Sequence, residues 1–162
     1  MFQGIKKLFG GKKEEGQILA PVAGQAVPLS EVPDPAFAQE ILGKGVAILP
    51  SENEFKAPAS GEVTVLFETG HAVSIRTESG ADVIVHIGLD TVNLKGQFFI
   101  THVKQGDTVK AGDLLITADI EQIKAAGYEV ITPVIVCNVY DYPYMVCHKG
   151  KAVKAMDEII TL

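Results

Sequence analysis

The chain has 162 residues, 47% of them hydrophobic and 21% charged, with a formal net charge of −6 at pH 7. That is enough apolar material for one good core, but the wrong charge for a nucleic-acid binder: Lys6, Lys7, Lys12 and Lys13 against Glu14 and Glu15 leave the first 16 residues at +2 and the rest at −8. The longest apolar run, Val130 to Val139, is broken by Pro133 and Asn138 and falls short of the ~20 residues that span a bilayer; no secretory leader is recognisable either, so the expected compartment is the cytosol.

Residues 1–16, MFQGIKKLFGGKKEEG, separate from the rest at Gly10-Gly11 as a flexible basic segment. Phe2, Ile5, Leu8 and Phe9 recur at helical spacing with Lys6 and Lys7 elsewhere, so residues 1–13 read either as an amphipathic segment on an anionic membrane surface or as a solvated tail. Residues 17–162 read as one domain. Its 16 glycines and eight prolines, spread between short apolar runs, predict an all-β antiparallel sandwich or barrel-like fold with a few helical turns. APVAGQAV (Ala20 to Val27) recurs as APASGEVTV (Ala57 to Val65) 37 residues later, an internal duplication in which each copy leads from a Pro/Gly turn into a strand. Helical turns are expected over Pro35 to Leu42 and over Ile120 to Ala126, the latter with Asp119 as N-cap and Gly127 as C′ residue. QGDTVKAGDLL (Gln105 to Leu115) resembles the turns of biotinyl and lipoyl carrier domains. It lacks their Met-Lys-Met or Asp-Lys-Ala tripeptide and so reads as architecture. Cys137 and Cys147 match no metal or redox spacing and read as buried or partly buried thiols; a disulfide has nothing to support it.

The stretch from Thr69 to Phe99 carries the functional signal. AVSIR (Ala72 to Arg76) and DVIVHI (Asp82 to Ile87) are β-branched runs joined by TESG, a hairpin candidate. With Thr77 to Gly80 as a four-residue loop, Ile75 faces Asp82, Val73 faces Ile84 and His71 faces His86. A single histidine in an apolar strand is usually a core or edge residue. Two polar rings side by side have little structural merit over aliphatic ones, and opposed Cβ atoms about 5 Å apart let both rings touch one small group, a phosphate or a metal ion. A slip of one residue would send them to opposite faces. His102 and His148 read as surface residues.

VHIGLDTVNLKG (Val85 to Gly96), HAVSI (His71 to Ile75), EVPDPAFAQEILGKGVAILP (Glu31 to Pro50), GDTVKAGD, TPVIVCN (Thr132 to Asn138) and the two A-P-x-x-G turns together resemble the glucose-family IIA proteins of the bacterial phosphoenolpyruvate-dependent sugar phosphotransferase system. The resemblance runs from about residue 18 to the C-terminus and weakens after Asn138. It implies a β-sandwich with a duplicated hybrid motif. It also implies a phosphoryl carrier that takes phosphate from the histidine-containing phosphocarrier protein (HPr) on His86 and donates it to the IIB cysteine of a sugar permease, with glucose the default sugar. By the same resemblance His71 supports the transfer, Thr69 orients His71, the Gly88 carbonyl fixes His86 and Ser74 lies near the site. Phe37, Ile41, Leu42, Phe67, Ile84 and Val92 then form an apolar docking surface, any one of them otherwise ordinary core. Asp34 and Asp90 present carboxylates to arginines of the partner. Lys44 departs from the family's usual Gly-Asp-Gly, reversing a charge beside that surface.

Two other readings use the same residues. A regulatory binding protein would grip permeases or metabolic enzymes through this face until phosphorylation of His86 released them. No cofactor is expected, although His71 and His86 offer two ligands for a zinc ion completed by a partner's carboxylate. A zinc hydrolase has weak support: there is no HExxH helix, and Asp90 is the one candidate for a third ligand.

Overall fold

Short β-branched runs punctuated by glycine and proline become fourteen strands among residues 16–162, the part of the chain that the computed structural model describes. The expected membrane-surface segment, residues 1–13, lies outside the described residues. An eight-stranded antiparallel sheet runs in the order β13 (Lys151–Val153), β2 (Gly24–Pro28), β3 (Lys44–Pro50), β11 (Thr132–Val136), β7 (Asp82–His86), β6 (Ala72–Thr77), β5 (Gly61–Leu66), β9 (Thr108–Val109). Two three-stranded sheets pack on one face. They are β1 (Gln17–Leu19), β14 (Glu158–Thr161), β12 (Val146–Cys147), and β4 (Glu54–Lys56), β10 (Leu114–Ala118), β8 (Phe99–Thr101). Val46, Ile48, Val73, Ile75, Val83, Val85, Val134 and Val136 of the large sheet close the core against Ile18, Phe55, Leu115, Ile116, Ile159 and Ile160. The sandwich expectation holds and the barrel-like alternative does not, because β13 and β9 end the large sheet as open edges.

The duplication governs the architecture. Reading the large sheet inward from its two edges pairs β13 with β9, β2 with β5, β3 with β6 and β11 with β7, and the two small sheets exchange with one another. Reciprocal hydrogen bonds mark the pseudo-twofold: Leu19 N–H donates to Pro58 O and, 37 residues on, Lys56 N–H donates to Pro21 O, both at 2.8 Å. A second echo lies at KAGD and KAMD, where Ala57 exchanges hydrogen bonds with Gly112 and Asp113 and Ala20 does the same with Met156 and Asp157. The halves differ most in one connection. Between β2 and β3, residues 29–43 form a 3₁₀ turn (Leu29–Glu31) and a one-turn helix (Pro35–Ala38) whose N-cap Asp34 accepts from Ala36 N–H at 3.0 Å. Leu29, Val32 and Phe37 from it bury Ala47 and Ile135 on the outer face of the sheet. Between β5 and β6 residues 67–71 suffice, so the outer face of that half stays open, with Ser74, Ile84 and His86 half-buried there.

The hairpin register differs from expectation by one residue. Ala72 pairs with His86 and Ser74 with Ile84, because Gly80 (φ +90°) closes a three-residue loop in which Thr77 N–H donates to Ala81 O. The second expected helix is found at Ile120–Ala125, with Asp119 accepting from Gln122 N–H and Gly127 left-handed at φ +94°.

Candidate functional site

The slip should separate the two histidines, yet their ring centroids lie 5.1 Å apart, edge to face at 82°. His71 escapes the alternation because it precedes β6 and leaves a turn at Gly70 (φ +72°) whose Thr69 Oγ1 lies 2.5 Å from His71 Nδ1. The Ile87 N–H donates to His71 O at 2.7 Å, tying the end of β7 to this turn. His86 Nδ1–H donates to Gly88 O at 2.7 Å, which leaves Nε2 with its lone pair free.

Four rings form a row. Phe37 stands 5.2 Å from His86, and Phe67 5.0 Å from His71, so each imidazole is held between the other and a phenyl ring. Phe37 is a correction to the docking surface: at 5% exposure it belongs to the outer-face core and supports His86 from within. Ile41, Leu42, Phe67 and Val92 are exposed by 44% or more, and Ile84 is half-buried across from Ser74. Ser74 lies diagonal to His86, and among the described residues its hydroxyl bonds neither histidine. Asp34 is half-buried and engaged as a helix cap, and Asp90 is exposed in a left-handed conformation (φ +58°).

Burial keeps both rings neutral. It is the main cause lowering His71 from 6.5 to about 4, with His86 adding to it. Burial also lowers His86, against the opposing pull of the Gly88 carbonyl, Asp34 and Asp90. A neutral imidazole with one nitrogen committed to a carbonyl is a nucleophile at the other. Two imidazoles satisfy half of a tetrahedral zinc, and among the described residues no group of three or more histidine, cysteine or carboxylate side chains is placed to hold a metal. A cleft of about 630 Å³ opens elsewhere, between Leu29, Lys44, Tyr142 and Cys147, and neither histidine lines it. His86 is half-buried on the open outer face and His71, at 3% exposure, packs against it, an arrangement that suits a macromolecular partner better than an enclosed small molecule.

Of the other residues singled out, His102 is exposed and bonded to Thr117. His148 lies half-buried at the surface, bonded to Thr161 and 3.7 Å from Glu158. Cys137 and Cys147 are unpaired and half-buried, and burial pushes both thiols up, away from reactivity. Sequence reading passed over Thr91, fully buried with its hydroxyl donating to Ile87 O at 2.6 Å. The signal was a polar residue set between Asp90 and Val92 just after the second histidine.

Fold and site define an antiparallel β-sandwich that carries a neutral histidine pair on the uncovered half of its large sheet. The chain belongs to the EIIA 1 family of the phosphoenolpyruvate-dependent sugar phosphotransferase system, whose family model matches residues 16–142. It is 45% identical over 138 residues to the glucose-specific EIIA component of Oceanobacillus iheyensis, covering 85% of this chain and 84% of that one. It is 51% identical over 127 residues to the β-glucoside-specific EIIBCA component of Bacillus subtilis, spanning 78% of this chain and 21% of that larger protein. The solved glucose permease IIA from Mycoplasma capricolum superposes with a TM-score of 0.81 at 38% identity, covering 89% of this chain and 93% of that one. No helix among the described residues is long and apolar enough to cross a membrane.

Proposed function

We propose that the chain is the phosphoryl carrier that its family membership suggests, with His86 Nε2 as the acceptor. The observation that carries this is the bond from His86 Nδ1–H to Gly88 O, which selects the tautomer whose Nε2 lone pair points away from the backbone. Nε2 attacks phosphorus, the bond from phosphorus to the HPr histidine breaks, and the positive charge developing on the His86 ring is stabilised by the Gly88 carbonyl. The IIB cysteine thiolate then attacks, the Nε2–P bond breaks, and His86 returns to its neutral form. His71, with Nδ1 receiving the Thr69 hydroxyl, offers Nε2–H to a phosphoryl oxygen in the transfer to IIB; Ser74, diagonal to His86 on the paired strand, is the remaining polar side chain assigned to this environment. Transfer takes place in the cytoplasm, at the inner face of the membrane when the acceptor belongs to a permease.

Intact-mass spectrometry after incubation with phosphoenolpyruvate, enzyme I and HPr tests the relay. An acid-labile phosphoryl mass gain is expected on the wild type and is lost in His86→Ala. In His71→Ala the gain persists but does not pass to IIB. No gain on the wild type would refute the carrier reading. Glucose is the sugar we assign; the identity shared with β-glucoside-specific relatives makes a IIB domain of that type the control acceptor.

A regulatory role is supported by the exposed Ile41, Leu42, Phe67 and Val92, of which Phe67 packs on His71. Phosphorylation would place added negative charge beside Asp34 and Asp90 and expel a partner docked there; a shared zinc on His71 and His86 would strengthen the unphosphorylated complex through the partner's carboxylate. Non-transport enzymes captured by the unphosphorylated chain and released on phosphorylation are the expected result of a pull-down. Capture that ignores phosphorylation would sink this second role.

A further inference from the structure

The segment after His86 is forced into an unusual path. Gly88 (φ +76°) and Asp90 (φ +58°) are both left-handed, and the Gly88 carbonyl is the atom that orients His86. Gly88 is wedged: a Cβ there would lie 2.7 Å from the Glu129 carbonyl oxygen and 2.7 Å from Thr91 Cγ2, and Leu89 N–H donates to the same Glu129 oxygen at 3.0 Å. Thr91 fastens the other side. It is fully buried, so its hydroxyl must be bonded within the protein, and it donates to Ile87 O at 2.6 Å. Ile87 also donates through its N–H to His71 O. One threonine hydroxyl therefore closes the turn that begins beside one histidine's nucleophilic ring and is anchored to the backbone of the other.

We infer that Thr91 is a positioning residue for His86: by bonding Ile87 O and packing on Gly88 it holds the Gly88 carbonyl within reach of His86 Nδ1–H. This rests on the reading of His86 as the phosphoryl acceptor. Without the hydroxyl the Ile87 carbonyl is left to find another partner, the left-handed turn relaxes, and the His86 proton is free to move to Nε2, where it blocks attack.

Full-length Thr91→Val and Thr91→Ser decide the matter. Long-range ¹H–¹⁵N NMR reads which ring nitrogen of His86 carries the proton, and phosphoryl uptake at varied HPr concentration separates kcat from KM. Valine, close to threonine in shape, is expected to give a mixed tautomer and a kcat lower by roughly a hundredfold at nearly constant KM. Serine, which keeps the hydroxyl, restores both. A valine variant with the wild-type tautomer and kcat overturns the inference, as does a serine variant impaired equally, which would assign the effect to the methyl group. Should the valine chain not fold, Thr91→Ala gives the hydroxyl-free comparison. A wild type that takes no phosphoryl group would refute the acceptor reading, and the tautomer comparison would still decide the role of Thr91.

Discussion

His71 titrates near 4 when folded and near 6.5 when unfolded, so the folded chain binds fewer protons between those values. Its contribution is present above the unfolded value and is lost as pH falls through 6.5 toward 4, where it levels off; His86, also lowered, acts in the same direction. From pH 7 to pH 5 the loss due to His71 is roughly 2 kcal/mol. Urea unfolding at the two pH values should show that decrement in the wild type and a smaller one in His71→Gln; equal decrements would mean that the ring is not held neutral by its burial. At this scale the sequence was most informative about the histidines themselves, since a facing pair of polar rings is hard to explain as core. It was least informative about their setting. The loop length between Ala72 and His86 was ambiguous by one residue, and the turn at Gly70 that rescues the pairing is a tertiary feature. The roles of Phe37 as an inner support and of Thr91 as a clasp depend on which side of each residue meets the sheet, which periodicity over so short a stretch does not reveal.

Twin glycines show what duplication means for the strands. Gly24 opens β2 and Gly61 opens β5, 37 residues apart. A Cβ on Gly24 would meet Leu49 O at 2.0 Å, and one on Gly61 would meet Arg76 O at 2.1 Å. In each case the obstacle is the backbone of the paired strand, so the strands must separate. Gly24→Ala and Gly61→Ala are each expected to cost roughly 3 kcal/mol, and by similar amounts, since the pseudo-twofold places them in equivalent positions. Denaturation midpoints measure both; if either variant loses less than about 1 kcal/mol, the two sites do not share this constraint. The A-P-x-x-G repeat, the Asp119-capped helix and the all-β class were legible because each rests on local chemistry. The second echo, KAGD against KAMD, was not. Four residues are too few to stand out, and Met156 (φ +76°) takes the left-handed position that Gly112 (φ +94°) holds in the other copy, hiding the turn signal.

Over the whole molecule, the asymmetry between halves decides which apolar residues support the fold and which are left for a partner. One duplicate is covered by its own residues 29–43 and the other is bare, and the histidines lie where cover ends. Phe37 and Ile41 come from the same covering stretch and from the same family resemblance, yet one is buried and the other exposed, at 5% and 68% exposure. Phe37→Ala removes a buried ring from Val27, Leu29, Val32 and Ile135 and should cost about 3 kcal/mol, besides freeing His86 to reorient. Ile41→Ser removes little that the folded chain itself uses, so its unfolding free energy should stay within about 0.5 kcal/mol of the wild type. Its cost should appear only with a partner, as a raised KM for HPr or IIB at unchanged kcat, because an apolar contact made equally in the ground and transition states contributes uniform binding. Urea denaturation paired with transfer kinetics separates the two residues. An Ile41→Ser chain that loses stability would show that this residue serves the fold, and one that transfers phosphate with wild-type KM would show that the exposed side of the covering segment takes no part in docking.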